Sequence, residues 1–306
     1  MENRIERALS LLKRKPYLAM MGARTVAARY GYTTDEITAA RKLFYKDRAS
    51  RRGPKVLIFD IETSPMKAYV WKRWKENISL DQTISEWFMI CWSAKWLGDK
   101  TVYSDRLTSE EILEENDKRI TESLWKLLDE ADMVVAHNGK RFDIPKMNSR
   151  FIIHNLPPCS PYKQIDTKEI SAKVFGFSSN KLDALATYFG FPNKDETDFT
   201  LWKRCLEGEE EALEYMEKYN KKDVLILEKV YLKLRPWTTR HPNSGLYIDS
   251  DRPVCPVCGS THLEETPDNV YTAASRFRVY RCTSCGALAR SRHNNFTNKK
   301  SLVLSI

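Results

Sequence analysis

Two carboxylic acids one residue apart, Asp60 and Glu62, close the otherwise apolar run Val56-Leu57-Ile58-Phe59-Asp60-Ile61-Glu62-Thr63. Such a run predicts a buried β-strand, and the two-residue alternation of a strand turns positions 60 and 62 to the same face. An unpaired charge is costly in a core, so either the strand has reached water or both acids face something cationic. Two later segments favour the second reading. Met133-Val134-Val135-Ala136 predicts another buried strand and delivers His137-Asn138-Gly139-Lys140-Arg141-Phe142-Asp143 at its C-terminal end, where open α/β sheets place their sites. In a long charged helix, Tyr219 and Asp223 stand four residues apart, on one face.

Asp-x-Glu on a first strand, Asn-Gly-x-x-Phe-Asp after a later strand and Tyr-x-x-x-Asp on a final helix resemble the DEDD superfamily of 3′-to-5′ exonucleases. The likeness is greatest to the proofreading domains of family B DNA polymerases, and it spans roughly residues 55 to 235. Tyrosine at 219 and lysine at 218 resemble the tyrosine subclass, which leaves His137 and His154 without a base role. The resemblance implies a ribonuclease H-like fold with Asp60, Glu62, Asp143 and Asp223 as ligands of two Mg²⁺ or Mn²⁺ ions. Hard cations prefer such oxygen donors, and four clustered carboxylates repel one another without them. Tyr219 is implied to orient the attacking water, and Asn138 and Phe142 to position the terminal nucleotide, although Phe142 suits a core role equally. Asp166 resembles a supporting element of these domains. The helix from Lys181 to Gly190 also recurs in them and reads as packing.

Cys255-Pro256-Val257-Cys258-Gly259 and Cys282-Thr283-Ser284-Cys285-Gly286 form two Cys-x-x-Cys-Gly knuckles. Each offers two thiolates on a tight turn, so Cys255, Cys258, Cys282 and Cys285 predict a tetrahedral Zn²⁺ site of the zinc-ribbon kind. Disulfides or a redox pair are the alternative. Between the knuckles, Arg276-Phe277-Arg278-Val279-Tyr280-Arg281 alternates as an exposed strand does. Cys91, Cys159 and Cys205 read as ordinary thiols of a reducing compartment.

Order and composition supply the frame that must hold these groups. From residue 56, three strands are followed by helix, strand, helix, strand and further helices, which predicts a mixed five-stranded sheet flanked by helices. A single helix is expected over Ser109 to Glu130, and others over Phe142 to His154, Asn180 to Phe189 and Glu207 to Leu234. Upstream, three short helices with a turn at Gly31 resemble a helix-turn-helix module, the third capped by Thr34. The expected division is a helical module over 1–47, a basic linker over 48–55, the ribonuclease H-like domain over 56–238 and the ribbon over 239–306.

The formal charge of +9 is concentrated at the two ends, and residues 1–55 alone carry 14 Lys/Arg against 5 Asp/Glu. Basic ends suggest contact with polyanions. No apolar run reaches the length of a membrane span, and Met1-Glu2-Asn3-Arg4 does not open a signal peptide, so a cytoplasmic protein of a prokaryote or a phage-infected host is expected, with no membrane partner.

The expected activity is metal-dependent 3′-to-5′ exonuclease action on DNA 3′ ends or single strands, with an RNA-directed exonuclease and a non-catalytic nucleic-acid-binding scaffold as the alternatives. The layout suits a phage or mobile-element replication, recombination or repair protein. A replication or recombination partner would dock through the ribbon or the N-terminal module.

Overall fold

The computed structural model describes residues 4–49, 53–191, 197–297 and 302–304. The chain divides into two compact units, one of Arg14–Gly22 with Lys55–Tyr231 and the other of Met1–Lys13, Ala23–Pro54 and Leu232–Ile306.

In the second of these, α1 (Arg4–Arg14), α2 (Ala23–Tyr30) and α3 (Thr34–Ala49) are the three expected helices. Ala8, Leu12, Val26, Ile37 and Ala40 supply their buried stripes. Gly31 turns the chain at φ +72°. The cap of α3 is Thr33 and not Thr34. Its hydroxyl accepts from Glu36 N (3.1 Å) while the Glu36 carboxylate takes Thr33 N (2.8 Å), a reciprocal arrangement that position 34 cannot make. Arg4 adds a bond to Glu36 (2.6 Å) and another to the Gly31 carbonyl (2.8 Å). The expected linker starts inside α3, which runs to Ala49, while its Arg51 and Arg52 lie outside the described residues.

The unit that carries the acids is built on β1 (Val56–Thr63), the short pair β2 (Lys67–Ala68) and β3 (Thr83–Ser85), β4 (Met89–Trp96) and β5 (Tyr103–Arg106). Then follow α4 (Ser109–Leu113), α5 (Lys118–Glu130), β6 (Met133–Ala136), α6 (Asp143–Ile153), β7 (Lys163–Asp166) and α7 (Thr167–Val174). The helices α8 (Leu182–Tyr188), α9 (Phe199–Leu206) and α10 (Glu210–Leu234) complete it.

The main sheet is mixed and five-stranded, in the order β5-β4-β1-β6-β7. β1 is antiparallel to β4 and parallel to β6, and β6 is parallel to β7. Leu57, Phe59 and Ile61 of β1 enter the main apolar cluster with residues of β4, α5, α6 and α10. Burying each such side chain contributes about 1.5–3 kcal/mol, which fixes the register that leaves Asp60 and Glu62 together on the other set of positions.

The expected single helix over Ser109 to Glu130 is two. Glu115 adopts φ +54°, and the chain restarts at Asp117, whose buried carboxylate takes Met89 N (2.8 Å) and meets Arg150 and His154. His154 is thus a packing group at 2.6 Å from that acid. The Pro16–Ala19 turn belongs to this unit, with Leu18 fully buried and Met20 accepting a bond from the Ser160 hydroxyl (3.5 Å).

The remaining strands, β8 (Leu263–Thr272), β9 (Ser275–Cys282) and β10 (Leu288–Arg290), form an antiparallel sheet in the order β10-β9-β8. In β9, Phe277, Val279 and Cys282 are buried while Arg278 and Arg281 are exposed, the alternation its sequence predicts.

Candidate active site and metal centres

β1 presents its acids beyond the end of its ladder with β6, whose last pair is Ile58 with Val135. Asp60 pairs with Ser93 and Glu62 with Cys91 on β4, and a bulge between Glu62 and Thr63 shifts the register so that Thr63 meets Met89. Bulges re-aim side chains at such positions. Ile61, between the acids, is buried, and both acids are half-exposed.

α10 supplies Tyr219, Asn220 and Asp223. Its placement is set by pairs along its length: Arg106 with Glu210 (2.5 Å), Ser104 with Glu217 (2.6 Å), and Lys95 with Glu228 (2.7 Å), the last pair nearly buried. Glu228 also takes the Gly98 amide (3.1 Å). Oxygens of Asp60, Glu62 and Asp223 come within 4.8 Å of one another. Asn220, fully buried beside them, donates from Nδ2 to Asp60 Oδ2 at 2.7 Å.

Asp143 is not among those three. As the first residue of α6 it is 2 % exposed, and its Oδ1 accepts from Ile61 N at 3.3 Å, the amide between Asp60 and Glu62. Burial pushes its carboxyl up to about 7, against the pull of backbone hydrogen bonds. The approach to α6 is tight. A Cβ on Gly139 would lie 2.4 Å from that of Ala136, so only glycine fits, and Asn138 takes φ +69°.

Asp166, at the end of β7, holds this loop: Oδ1 accepts from Asn138 N (3.0 Å) and Oδ2 from Lys140 N (3.2 Å). The same carboxylate caps α7 through Lys168 N (3.0 Å) and Glu169 N (3.1 Å). It therefore ties the second acidic motif to the start of the next helix.

Asp60, Glu62 and Asp223 line a cleft of ≈770 Å³ whose walls include Phe142, Tyr219, His137, Lys168 and Lys181, while Asp143 lies outside that lining. Asn138 does not line it; its contribution here is backbone conformation. Phe142 does, 39 % exposed, with Lys146 Nζ 5.1 Å from its ring. Sequence reading missed Asn220, Lys168 and Lys181, and took the α8 segment as packing alone. Leu182, Leu185 and Ala186 do pack, yet Lys181, Asp183 and Thr187 face the cleft. His137 Nε2 donates to the Asn180 carbonyl (3.0 Å) and Nδ1 lies 2.9 Å from the Thr167 hydroxyl oxygen, so this histidine ties β6 to the loop carrying Lys181.

The donor set fits divalent cations. Three carboxylates gathered this closely repel one another, all their donors are hard oxygens, and among the described residues the buried Asn220 Oδ1 beside them accepts no hydrogen bond. The neighbouring thiol on β4 stays protonated. Burial raises Cys91 well above the ordinary thiol range, and Glu62 and Asp60 raise it further.

The four knuckle cysteines form a second centre. Their sulfurs lie within 4.8 Å of one another, with Cys255 to Cys285 at 3.7 Å and Cys258 to Cys282 at 3.6 Å, so no disulfide joins them. Gly259 and Gly286 take φ +76° and +82°, and their amides fold back to the carbonyls of Cys255 (2.9 Å) and Cys282 (2.8 Å). Burial raises the Cys282 thiol, but the Cys285 and Ser284 amides outweigh it and bring it down to about 7. Softer sulfur donors in a closed group of four suit Zn²⁺.

An α/β domain with this strand order and an acidic cleft at the end of its central strand defines a class. The family model of the RNase_H superfamily matches residues 57–235, and the chain belongs to that superfamily. The match supports a nuclease fold, and with it a protein that meets nucleic acid. No curated protein matches the sequence. Among solved structures, the family B DNA polymerase from the hyperthermophilic archaeon Pyrobaculum calidifontis aligns with a TM-score of 0.42 and 15 % identity. That alignment covers 64 % of this chain and 27 % of the polymerase chain.

Proposed function

We propose that the protein is a metal-dependent 3′-to-5′ exonuclease of the tyrosine subclass, acting on DNA 3′ ends. The observation that carries this reading is the convergence of Asp60, Glu62 and Asp223 within 4.8 Å in a cleft that Tyr219 also lines. Asp60, Glu62 and Asp223 would hold two Mg²⁺ or Mn²⁺ ions, with Asp143 completing the set from beside Ile61. When bound, such ions supply charge neutralisation and Lewis acidity at a phosphate.

The protein's own groups do the rest. Tyr219, one turn before Asp223, aligns a water for attack; a phenol is a poor free base and orients better than it deprotonates. Lys168 and Lys181, which also line the cleft, attract the phosphates, and Phe142 offers a face to the terminal base. Asp166 and His137 fix the loops that carry these groups.

The division into a helical module over 1–47, a linker over 48–55, the nuclease domain over 56–238 and a Zn²⁺-holding ribbon over 239–306 is part of the same proposal. The basic module and the ribbon are assigned to holding substrate or a replication partner.

The test is degradation of single-stranded DNA labelled at its 5′ end. Wild type with Mg²⁺ or Mn²⁺ should give a ladder of progressively shorter labelled products, and Asp60→Asn and Asp223→Asn should give none. Immediate release of a labelled mononucleotide would reverse the polarity, preferential loss of matched RNA would change the substrate, and tight binding without cleavage under either metal would make the fold a scaffold.

A further inference from the structure

The chain between β1 and β4 carries an exposed aromatic and basic surface that the proposed active site does not use. Its stem is pinned. Ser64 and Phe88 exchange bonds at 2.9 and 2.8 Å, β2 pairs with β3, and Glu115 takes Lys67 (2.7 Å) and Ser85 (3.1 Å). The tip is tied across by Tyr69 N to the Gln82 carbonyl (2.9 Å) and Gln82 Nε2 back to the Tyr69 carbonyl (3.2 Å).

What this stem presents is Tyr69-Val70-Trp71-Lys72-Arg73-Trp74-Lys75, with Trp71 92 % and Trp74 83 % exposed. Large aromatics left this bare at the tip of a closed hairpin mark a binding surface. None of Lys72, Arg73 and Lys75 has an ion-pair partner among the described residues, and no acid interrupts the run.

The surface connects to the cleft. The stem begins two residues after Glu62 and returns through Trp87, whose ring has Lys146 Nζ 3.6 Å from its centre; the same ammonium lies 5.1 Å from the Phe142 ring in the cleft wall. Interleaved aromatics and cations are the chemistry of single-stranded nucleic acid, with bases stacking on the rings and phosphates meeting the ammonium and guanidinium groups.

We infer that the 69–75 tip is a stacking platform for single-stranded nucleic acid, gripping the strand upstream of the end that enters the cleft. The inference rests on the nucleic-acid-cleaving reading of that cleft, but its test is a binding measurement made without divalent metal.

Anisotropy of labelled oligodeoxythymidylates of about 4 and about 16 nucleotides, with wild type and the double variant Trp71→Ala/Trp74→Ala, separates platform from cleft. The longer strand should bind the variant about tenfold or more weakly, with quenching of tryptophan fluorescence in wild type, while the short strand binds both alike. Lys72→Gln/Arg73→Gln should lower the salt dependence of the longer strand's binding. Both pairs are exposed, so the fold survives, and unchanged melting temperatures verify it.

Equal binding of the long strand by wild type and the tryptophan variant would overturn the inference, as would no binding by wild type. A tryptophan blue shift on anionic phosphatidylglycerol vesicles without any oligonucleotide effect would overturn it in favour of a lipid surface. Wild type that binds through the tip yet never cleaves would leave the platform standing and remove the exonuclease reading alone.

Discussion

The Asn220 amide donates to Asp60 Oδ2 at 2.7 Å, across 160 residues of sequence, from a fully buried position on α10. Asp60 is therefore oriented by the same helix that carries Tyr219 and Asp223, so the first and last acidic motifs are coupled through one hydrogen bond. Groups that orient a metal's ligands are worth about 10–100-fold in metal affinity or activity. Asn220→Ala should raise the Mn²⁺ concentration needed for half-maximal cleavage by about that factor. A titration of activity against Mn²⁺ that superimposes on wild type would remove this role.

Asp143 gives a pH dependence of known sign. Its folded carboxyl is raised to about 7, above the ordinary value near 3.9, so the folded state holds the proton more tightly than the unfolded one. Stability from this group is present below the unfolded value and is lost as pH rises through about 7. In magnesium-free buffer Asp143→Asn should melt at a higher temperature than wild type at about pH 8, with the gap closing towards about pH 5. Thermal melts across that range check it, and a gap of the opposite sign would contradict it.

Lys95 and Glu228 form a nearly buried pair that fastens α10 to β4. Lys95→Ala leaves the carboxylate without its cation and should cost about 3 kcal/mol, whereas Lys95→Met with Glu228→Leu should be close to neutral. Urea unfolding of both variants measures the difference. Equal losses would mean that packing, not the charge, holds the helix there.

The ribbon should depend on its metal. Its buried cluster is small, chiefly Cys255, Val257, Cys282 and Ala287, too little to hold three strands. One Zn²⁺ per chain is expected by elemental analysis, and Cys258→Ser should lose it and speed hydrogen exchange at β8 and β9. Retained protection without zinc would show the sheet to be self-sufficient.

Much of the site was legible because its signals are local. The β1 acids interrupt an apolar alternation, the Tyr219 to Asp223 spacing is one helical turn, and each cysteine knuckle spans five residues. What escaped depends on neighbours distant in sequence. Asn220 looks like an ordinary helical polar residue until Asp60 is seen opposite it, and Lys181 opens a short helix that sequence reads as packing. The break between α4 and α5 was hidden because Glu115 gives no glycine to announce its positive φ, while Asp117 is recognisable as a tether only beside Arg150 and His154.

The most direct measurement of the central claim is anomalous scattering from crystals soaked in Mn²⁺. Two ions should appear in the cleft, held by Asp60, Glu62 and Asp223 with Asp143 contributing, and both should be lost in Asp60→Asn/Asp223→Asn. Crystals in which wild type at saturating Mn²⁺ shows no ion among these carboxylates would contradict it.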